Sequence, residues 1–452
     1  MTDPTAAFRF GHGLPLPRGA ASTPQAMLAA LFGPDQAAST YPAPGMAEVL
    51  PAFQLVRETN AALQDAPDDR AAKKANRRAR RASSLLALAG AKAALARAVS
   101  SRDGLRERLA SFWGDHFTTV GRAPVLKPFP TALMEDAIRP NLTGSFADLL
   151  SAVVLHPAML TYLDQASSIG PGSRRGTRRQ QGLNENLARE LLELHTLGVG
   201  APYGQDDVRQ MAELLTGLTF VPDRGFAFDP ARAEPGPETV LGVTYDGKGV
   251  EPIRRALTDL SRRPETARHI ARKLAVHFVS DMPEDSLVAA MEARWLDTDG
   301  DLLAVTEALL THPAAWVPTA EKARQPFDFL AASLRALDFS GTRIMAGAPD
   351  VFTRLALTPM QTMGQPFQSA QGPDGWPEET RVWITPQRLA ARISWAMEVP
   401  GKLVTPLPDP VAFATYALGS RASERLIWAA ARAESRREGV GLVLSSPEFN
   451  RR

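Results

Sequence analysis

Apolar residues recur along most of this chain at three- and four-residue intervals and β-branched alternation is nearly absent, so the pattern predicts helices from end to end. The longest is expected over 68–99. Its first half carries Arg70, Lys73, Lys74, Arg77, Arg78, Arg80 and Arg81, and its second half, from Leu85 to Ala98, is an Ala/Leu surface suited to close packing. Further helices are expected over 252–261, 264–280 and 301–311, the first two opening on proline, whose missing N–H is harmless in a first turn.

The most sharply marked element is 184–198. At about 100° per residue, Asn186, Arg189, Glu190 and Glu193 fall on one side and Leu187, Ala188, Leu191, Leu192 and Leu194 cover most of the other. Asn184 stands as N-cap, and Gly198 stands where a C-terminal cap needs positive φ. A short connection through Pro202, Tyr203 and Gly204 leads to a second amphipathic helix over 205–216, expected to pack antiparallel to the first. If the polar faces meet, Glu190, Glu193, Asp206 and Glu213 gather around Arg189 and Arg209.

Three intervals break the helical pattern. The stretch 166–183, with Arg174, Arg175, Arg178 and Arg179 among Ser, Gly and Pro, reads as an exposed loop, and 220–250 as a Pro/Gly-rich excursion with room for a short hairpin. The third, 358–386, holds Trp376 and Trp383 and reads as an ordered surface excursion, since flexible linkers seldom carry two tryptophans. A smaller echo, His156-Pro157, His312-Pro313 and Ser446-Pro447, each after an apolar run, reads as a repeated helix-end device in which the proline can begin a new helical turn. The expected fold is all-α: one large multi-helical domain over 5–451, with long irregular loops and at most a short β-hairpin.

Composition narrows the possible functions. With 44% hydrophobic residues among 452, the chain has material for a large core, and 51 Lys plus Arg against 49 Asp plus Glu leave no global field for nucleic acid. The basic half of the long helix lacks aromatics for base stacking and reads as a solvated face; no nucleic-acid partner is expected. The absence of cysteine excludes disulfides and thiolate chemistry. No basic-then-apolar start marks a signal peptide, and no stretch approaches the ~20 apolar residues of a spanning helix, so the expected location is the cytoplasm.

Candidate chemistry centres on the marked helix. Glu190 and Glu193, at i and i+3, lie close enough to share a proton, while His195 points about 200° away and cannot complete a metal site with them; no metal is expected. His116 follows Leu105, Leu109 and Phe112 on an apolar face and reads as a core histidine, becoming a general base only if it meets the Glu190/Glu193 stripe. His277 sits among core positions and reads as structural. A P-loop, a Gly-x-Ser-x-Gly elbow, a zinc helix and a dinucleotide fingerprint are all missing, so no cofactor is named. Asp297 to Asp301 resembles the start of a calcium loop, but Ala308 stands at the twelfth position, and the segment is better read as an N-cap.

Taken together, Asn184 to Val199, Tyr203 with Gln205 to Val208, and Leu215-Thr216-Gly217 resemble the signature of the bacterial family named domain of unknown function 1800. Matching pieces run along the whole chain: Arg9-Phe10-Gly11, Phe112 to Phe117, His156 to Leu160, Arg272-Lys273-Leu274 with His277 to Asp281, Met363 to Pro366, Gly375-Trp376-Pro377 and Ser446 to Phe449. The resemblance implies a mostly helical fold. A His-Asp pair and a nearby Lys common in that family fall here on Ala233, Glu234 and Glu238, so no role is carried over from that segment. The resemblance also implies a partner, an exported sulfatase-like protein encoded nearby, and a periplasmic location only by export with it.

The expectation is a binding or assembly protein organised around 184–217, with Asn186, Arg189, Asp206, Arg209, Glu213 and Trp376 as binding residues. The alternative is a carboxylate-dependent hydrolase using Glu190 and Glu193, with His116, on an anionic or sugar-like substrate near Trp376.

Overall fold

Two apolar clusters organise the chain in a computed structural model that describes residues 4–179 and 182–452. The first gathers side chains from Phe10 to Ala315, and the second gathers Phe329 to Phe449 together with Phe8 and five residues of the long helix between Ala91 and Val99. Helices supply nearly all of both, as the three- and four-residue spacing requires.

Helix α1, Met46–Asp65, and helix α2, Arg70–Ser100, form a hairpin, with Val56, Asn76, Ala79 and Ser83 buried along the seam. The cations of the outer half of α2 are exposed, so that face is solvated. Among the described residues α2 alone is long and apolar enough to cross a membrane; 56% of its apolar window is buried within the molecule, where it serves as core.

Helix α3, Gly104–His116, starts from an Asp103 cap and presents two faces. Leu105, Leu109, Phe112, Trp113 and His116 are buried in the first cluster. Ring contacts continue from there: Trp113 lies 5.6 Å from Phe146, which lies 5.0 Å from the fully buried Trp295. Rings in such tilted contact add to their area term about 0.5–1.5 kcal/mol per pair. The opposite face, Glu107, Arg108, Ser111, Gly114 and Asp115, is polar or small, and it faces a cavity described below.

The marked helix begins as α4, Asn186–Glu190, and continues as a π-helical turn, Leu191–Thr196. Thr196 Oγ1 donates to the Leu191 carbonyl at 2.7 Å, answering an acceptor that the wider turn loosens. Asn184 caps the start by accepting from Asn186 N at 2.8 Å, and Gly198, at φ 94°, ends it. Helix α5, Gln205–Leu214, packs beside α4, but the antiparallel start-to-end arrangement is not what forms. Gln205 bonds Glu185 at 2.9 Å and Arg189 at 3.1 Å, so the two N-terminal turns meet. The connection 197–204 can reach roughly 25 Å extended, more than the roughly 16 Å of the helix it runs back along, so its length permits this.

The excursion 220–250 lies within a region that holds two hairpins, β1 Leu218–Val221 with β2 Gly225–Phe228 and β3 Glu238–Val240 with β4 Val243–Tyr245, one more than expected. Leu241 and Gly242, at φ 50° and 80°, make the tight turn of the second. Segment 166–183 begins within a short 3-10 turn, Gln165–Ser167, and contains a one-turn helix, Gly176–Arg179; its Gln180 and Gln181 lie outside the described residues. The echoed dipeptides are helix starts: His156 Nδ1 accepts from Ala158 N, His312 Nδ1 from Ala314 N, and Ser446 Oγ from Phe449 N. Asp301 caps Ala304 in the same way.

Candidate functional site

A cavity of about 170 Å³ opens where the two clusters meet. Helical period builds three of its walls. From α2 come Gly90, Ala94, Arg97 and Ala98, and Ala94 keeps some exposure while every neighbour from Ala91 to Val99 is buried. From α3 come Glu107, Arg108, Ser111, Gly114 and Asp115; the last three are part-exposed, so solvent reaches the cavity along this face. The segment from Pro130 to Arg139 adds Met134, Glu135 and Ile138. The second cluster closes the space with Phe327 and Asp328 from the start of α6, Pro326–Ala336, and with Gln365, Phe367, Trp376 and Glu378 from the tryptophan-bearing excursion.

The charged groups on these walls are matched in pairs. Arg97 grips Glu135 through both nitrogens of its fork at 2.6 and 2.9 Å, and Arg139 grips Glu107 at 3.0 and 2.9 Å. Arg108 donates one terminal nitrogen to Asp328 and the other to His277 Nε2 at 2.8 Å. A guanidinium has no lone pair to offer, so His277 Nε2 accepts and its proton sits on Nδ1, which donates to Glu378 at 2.5 Å. Lys322 follows at 3.0 Å from Glu378 and 2.7 Å from Asp281. This chain of alternating donors and acceptors satisfies buried charge that would otherwise be costly.

Burial opposes ionisation of Glu378, yet His277, Lys322 and Arg452 hold it well below the usual carboxylate range. Asp328 is likewise held well below it by Arg108, His12 and Arg452 against the cost of burial. His277 is pushed by burial, then by Arg108, down to about 4 despite Glu378, which keeps it neutral. Asp115 goes the other way. Burial raises its carboxyl to about 8, the Glu378 charge adding to this, while the Trp376 N–H bond at 2.9 Å and Lys273 resist it. One wall group is thus a protonated acid at neutral pH among ionised neighbours.

His12 follows Arg9-Phe10-Gly11 and lines the same cavity. Its Nδ1 lies 3.3 Å from Asp328 Oδ1, and its buried Nε2 has no partner. Burial lowers its basicity, so the ring is neutral. The Asp328 carboxylate beside Nδ1 favours the tautomer with the proton there, which leaves Nε2 as an acceptor, although neither ring nitrogen meets hydrogen-bond geometry within the chain.

The residues expected to form the site are distributed differently. Glu190 and Glu193 are neighbours and both part-exposed; burial first, then Glu193 and Asp374, raise the Glu190 carboxyl. Arg189 and Arg209 do not gather them. Arg189 pairs with Glu185 at 3.2 Å and Arg209 with Glu213 at 3.1 Å, each with its own i,i+4 partner on one helix, and Asn186 and Asp206 are exposed. The expected gathering of the four acids around these two arginines is therefore not formed: Arg189 reaches the facing helix only at Gln205, and each arginine has its acid partner on its own helix.

His116 stays in the core, away from the glutamate stripe. Its Nε2 meets the His195 carbonyl at 3.3 Å, and His269 Nε2 meets the Leu194 carbonyl at 3.2 Å, so two imidazoles from other helices cap the end of the π-turn. Burial holds His116 well below its ordinary value, with Lys273 next among the causes, and it is neutral. Trp376 alone of the expected residues reaches the cavity wall. A second hollow of about 130 Å³, lined by Arg122 and Tyr162, shares Thr119 and Pro130 with the first. Burial raises the Tyr162 hydroxyl, with the charges of Glu190 and Asp374 adding to it and Arg122 opposing.

The reading from sequence missed Asp115, His12 and Glu378, although each adjoins or lies within a recognised motif. The signal available was the polar stripe at 107, 108, 111, 114 and 115 on a helix whose other face is aromatic core. Pieces from five separated motifs, Arg9 to Gly11, Phe112 to Phe117, Arg272 to Asp281, Met363 to Pro366 and Gly375 to Pro377, come together in or beside this one cavity. Among the described residues no cluster of His, Asp and Glu suits a metal ion.

No curated protein and no solved structure matches the chain. A family does match, over residues 8–451, and the chain accordingly belongs to the family described as protein of unknown function, DUF1800.

Proposed function

We propose that this protein binds a small molecule in the cavity between its two helical clusters. The observation that carries the reading is the cavity itself, of about 170 Å³, walled by matched ion pairs and ringed by motifs drawn from five parts of the chain. Pockets for small ligands are concave, largely apolar and furnished with a few fixed polar groups, and this one has that character. The expectation of a binding protein is kept, and its centre moves from the 184–217 helix pair to the face of α3. The exposed Asn186, Asp206 and Arg209 remain a surface suited to a protein partner rather than to a small ligand.

Benzene tests occupancy, since an apolar cavity of roughly 150 Å³ is enough to hold it. Saturating benzene is expected to raise the melting temperature of the wild-type protein, as any ligand specific to the folded state does. Ala94→Met, which places a flexible side chain into the space, should abolish that rise. No rise in the wild type, or an equal rise in the variant, would remove the cavity from consideration.

A further inference from the structure

We infer that the cavity takes an uncharged ligand about one ring in size whose hydroxyl or N–H donates to His12 Nε2; this rests on the cavity reading above. Three observations support it.

The first is charge. The wall arginines Arg97, Arg108 and Arg139 are each held by a carboxylate, and Glu107, Glu135 and Asp328 are each held by an arginine. An anionic ligand must compete with a buried carboxylate for its arginine, and a cationic one must compete with an arginine for its acid. Either would strand a buried charge, which is the expensive way to break a buried pair. A neutral ligand leaves every pair intact.

The second is what the walls leave unsatisfied. His12 is 2% exposed, and neither ring nitrogen makes a hydrogen bond within the chain, Nδ1 lying 3.3 Å from Asp328 and Nε2 having no partner. Arg108 Nε and Thr119 Oγ1, also on the wall, are buried without partners too. Buried polar atoms are nearly always bonded, so these point to a molecule that bonds them. The neutral imidazole, with its proton favoured on the Asp328 side, asks for a donor at Nε2, while the Arg108 N–H and the threonine hydroxyl elsewhere on the wall can serve an acceptor; a ligand bearing a hydroxyl or amide group has both capacities. The third is shape: Phe327, Phe367 and Trp376 supply aromatic faces, and about 170 Å³ matches one substituted ring.

The test uses four probes with one apolar body: toluene, benzyl alcohol, benzoate and benzylammonium, titrated calorimetrically into the full chain at pH 7. Benzyl alcohol should bind at least about 10-fold more tightly than either ion. His12→Ala should weaken benzyl alcohol by roughly 5- to 10-fold and leave toluene within about twofold, because only the alcohol uses the imidazole. His12→Gln, which retains an acceptor, should recover most of the alcohol affinity, and unchanged toluene binding shows that each variant folds. An ion binding as tightly as the alcohol overturns the ligand class while the cavity reading stands. Equal effects of His12→Ala on alcohol and toluene, or no recovery in His12→Gln, overturn the role of His12. If none of the four binds, the cavity reading falls and takes the inference with it.

Discussion

Asp115 and Asp328 line one cavity from different walls, and their surroundings drive them in opposite directions. Asp328 has a buried arginine, a histidine and a second arginine facing it, and the stabilisation is present only while it is ionised. Asp328→Ala strands Arg108, and a loss of about 3–5 kcal/mol in denaturant unfolding is expected. Asp115 is protonated in the folded chain up to about pH 8, whereas the unfolded chain releases that proton near 3.8. The folded state therefore binds the extra proton across this window, and the contribution of this one carboxyl to stability falls as pH rises from about 4 to about 8, against the rise contributed by the lowered histidines. Asp115→Asn, which still accepts from Trp376 N, removes that contribution, so its stability relative to the wild type should improve steadily as pH rises from about 4 to about 8, and paired melting curves across the window check it. Glu190 is raised in the same direction, by burial and Glu193. Glu190→Gln is expected to leave stability unchanged or slightly higher at pH 7; a clear loss would mean that its charge is held by partners.

At the scale of elements, the capping chemistry was legible from sequence because it is local. Asn184 and Asp301 act within four residues of themselves, and both caps are formed; at the His-Pro and Ser-Pro sites the proline's place in a new turn was readable, while the cap made by the preceding side chain was not. His156→Ala should cost about 1 kcal/mol through the lost cap at Ala158, measurable by urea unfolding. Arg209→Ala, which breaks a solvated i,i+4 pair with Glu213, should cost less than about 0.5 kcal/mol. The placement of the signature pair was not legible, since an eight-residue connection has reach enough for either arrangement. Nor was the π-turn, which depends on where a carbonyl finds a substitute donor, here the Thr196 hydroxyl. The amphipathicity of α3 was readable on its apolar side alone; that its polar side faces another cluster instead of water follows from residues more than 200 positions away, such as Asp328 and Gln365.

Across the whole molecule, buried cations repeatedly answer the free carbonyls of helix ends that belong to other elements. Arg335, on α6, donates to Ala98, Val99 and Gly13; Arg106 donates to Ala30, Leu31 and Gly33; Lys92 reaches Met345 and Gly347. Positive charge is favoured at a helix C-terminus, and here it also ties together the second cluster, joining α6 to the end of α2 across more than 230 residues of sequence. Arg335→Met keeps the bulk and removes the donors, leaving buried acceptors unmet; a loss of at least about 2 kcal/mol is expected in denaturant unfolding. This explains how a chain with 51 cations and 49 acids shows no net field while its interior is rich in arginine. The family and the helical class could be read from the residues; the cavity could not, since its walls are assembled from segments that only the fold brings together.

Helix α2 runs unbroken from a solvated arm to a wall of the cavity. A rod of this kind should show a gradient of amide protection within a single element: rapid deuterium uptake over its outer turns and slow uptake past Gly90. Occupancy of the space beside Ala94 would then register as added protection in the slow turns alone, giving a readout of ligand entry that needs no label.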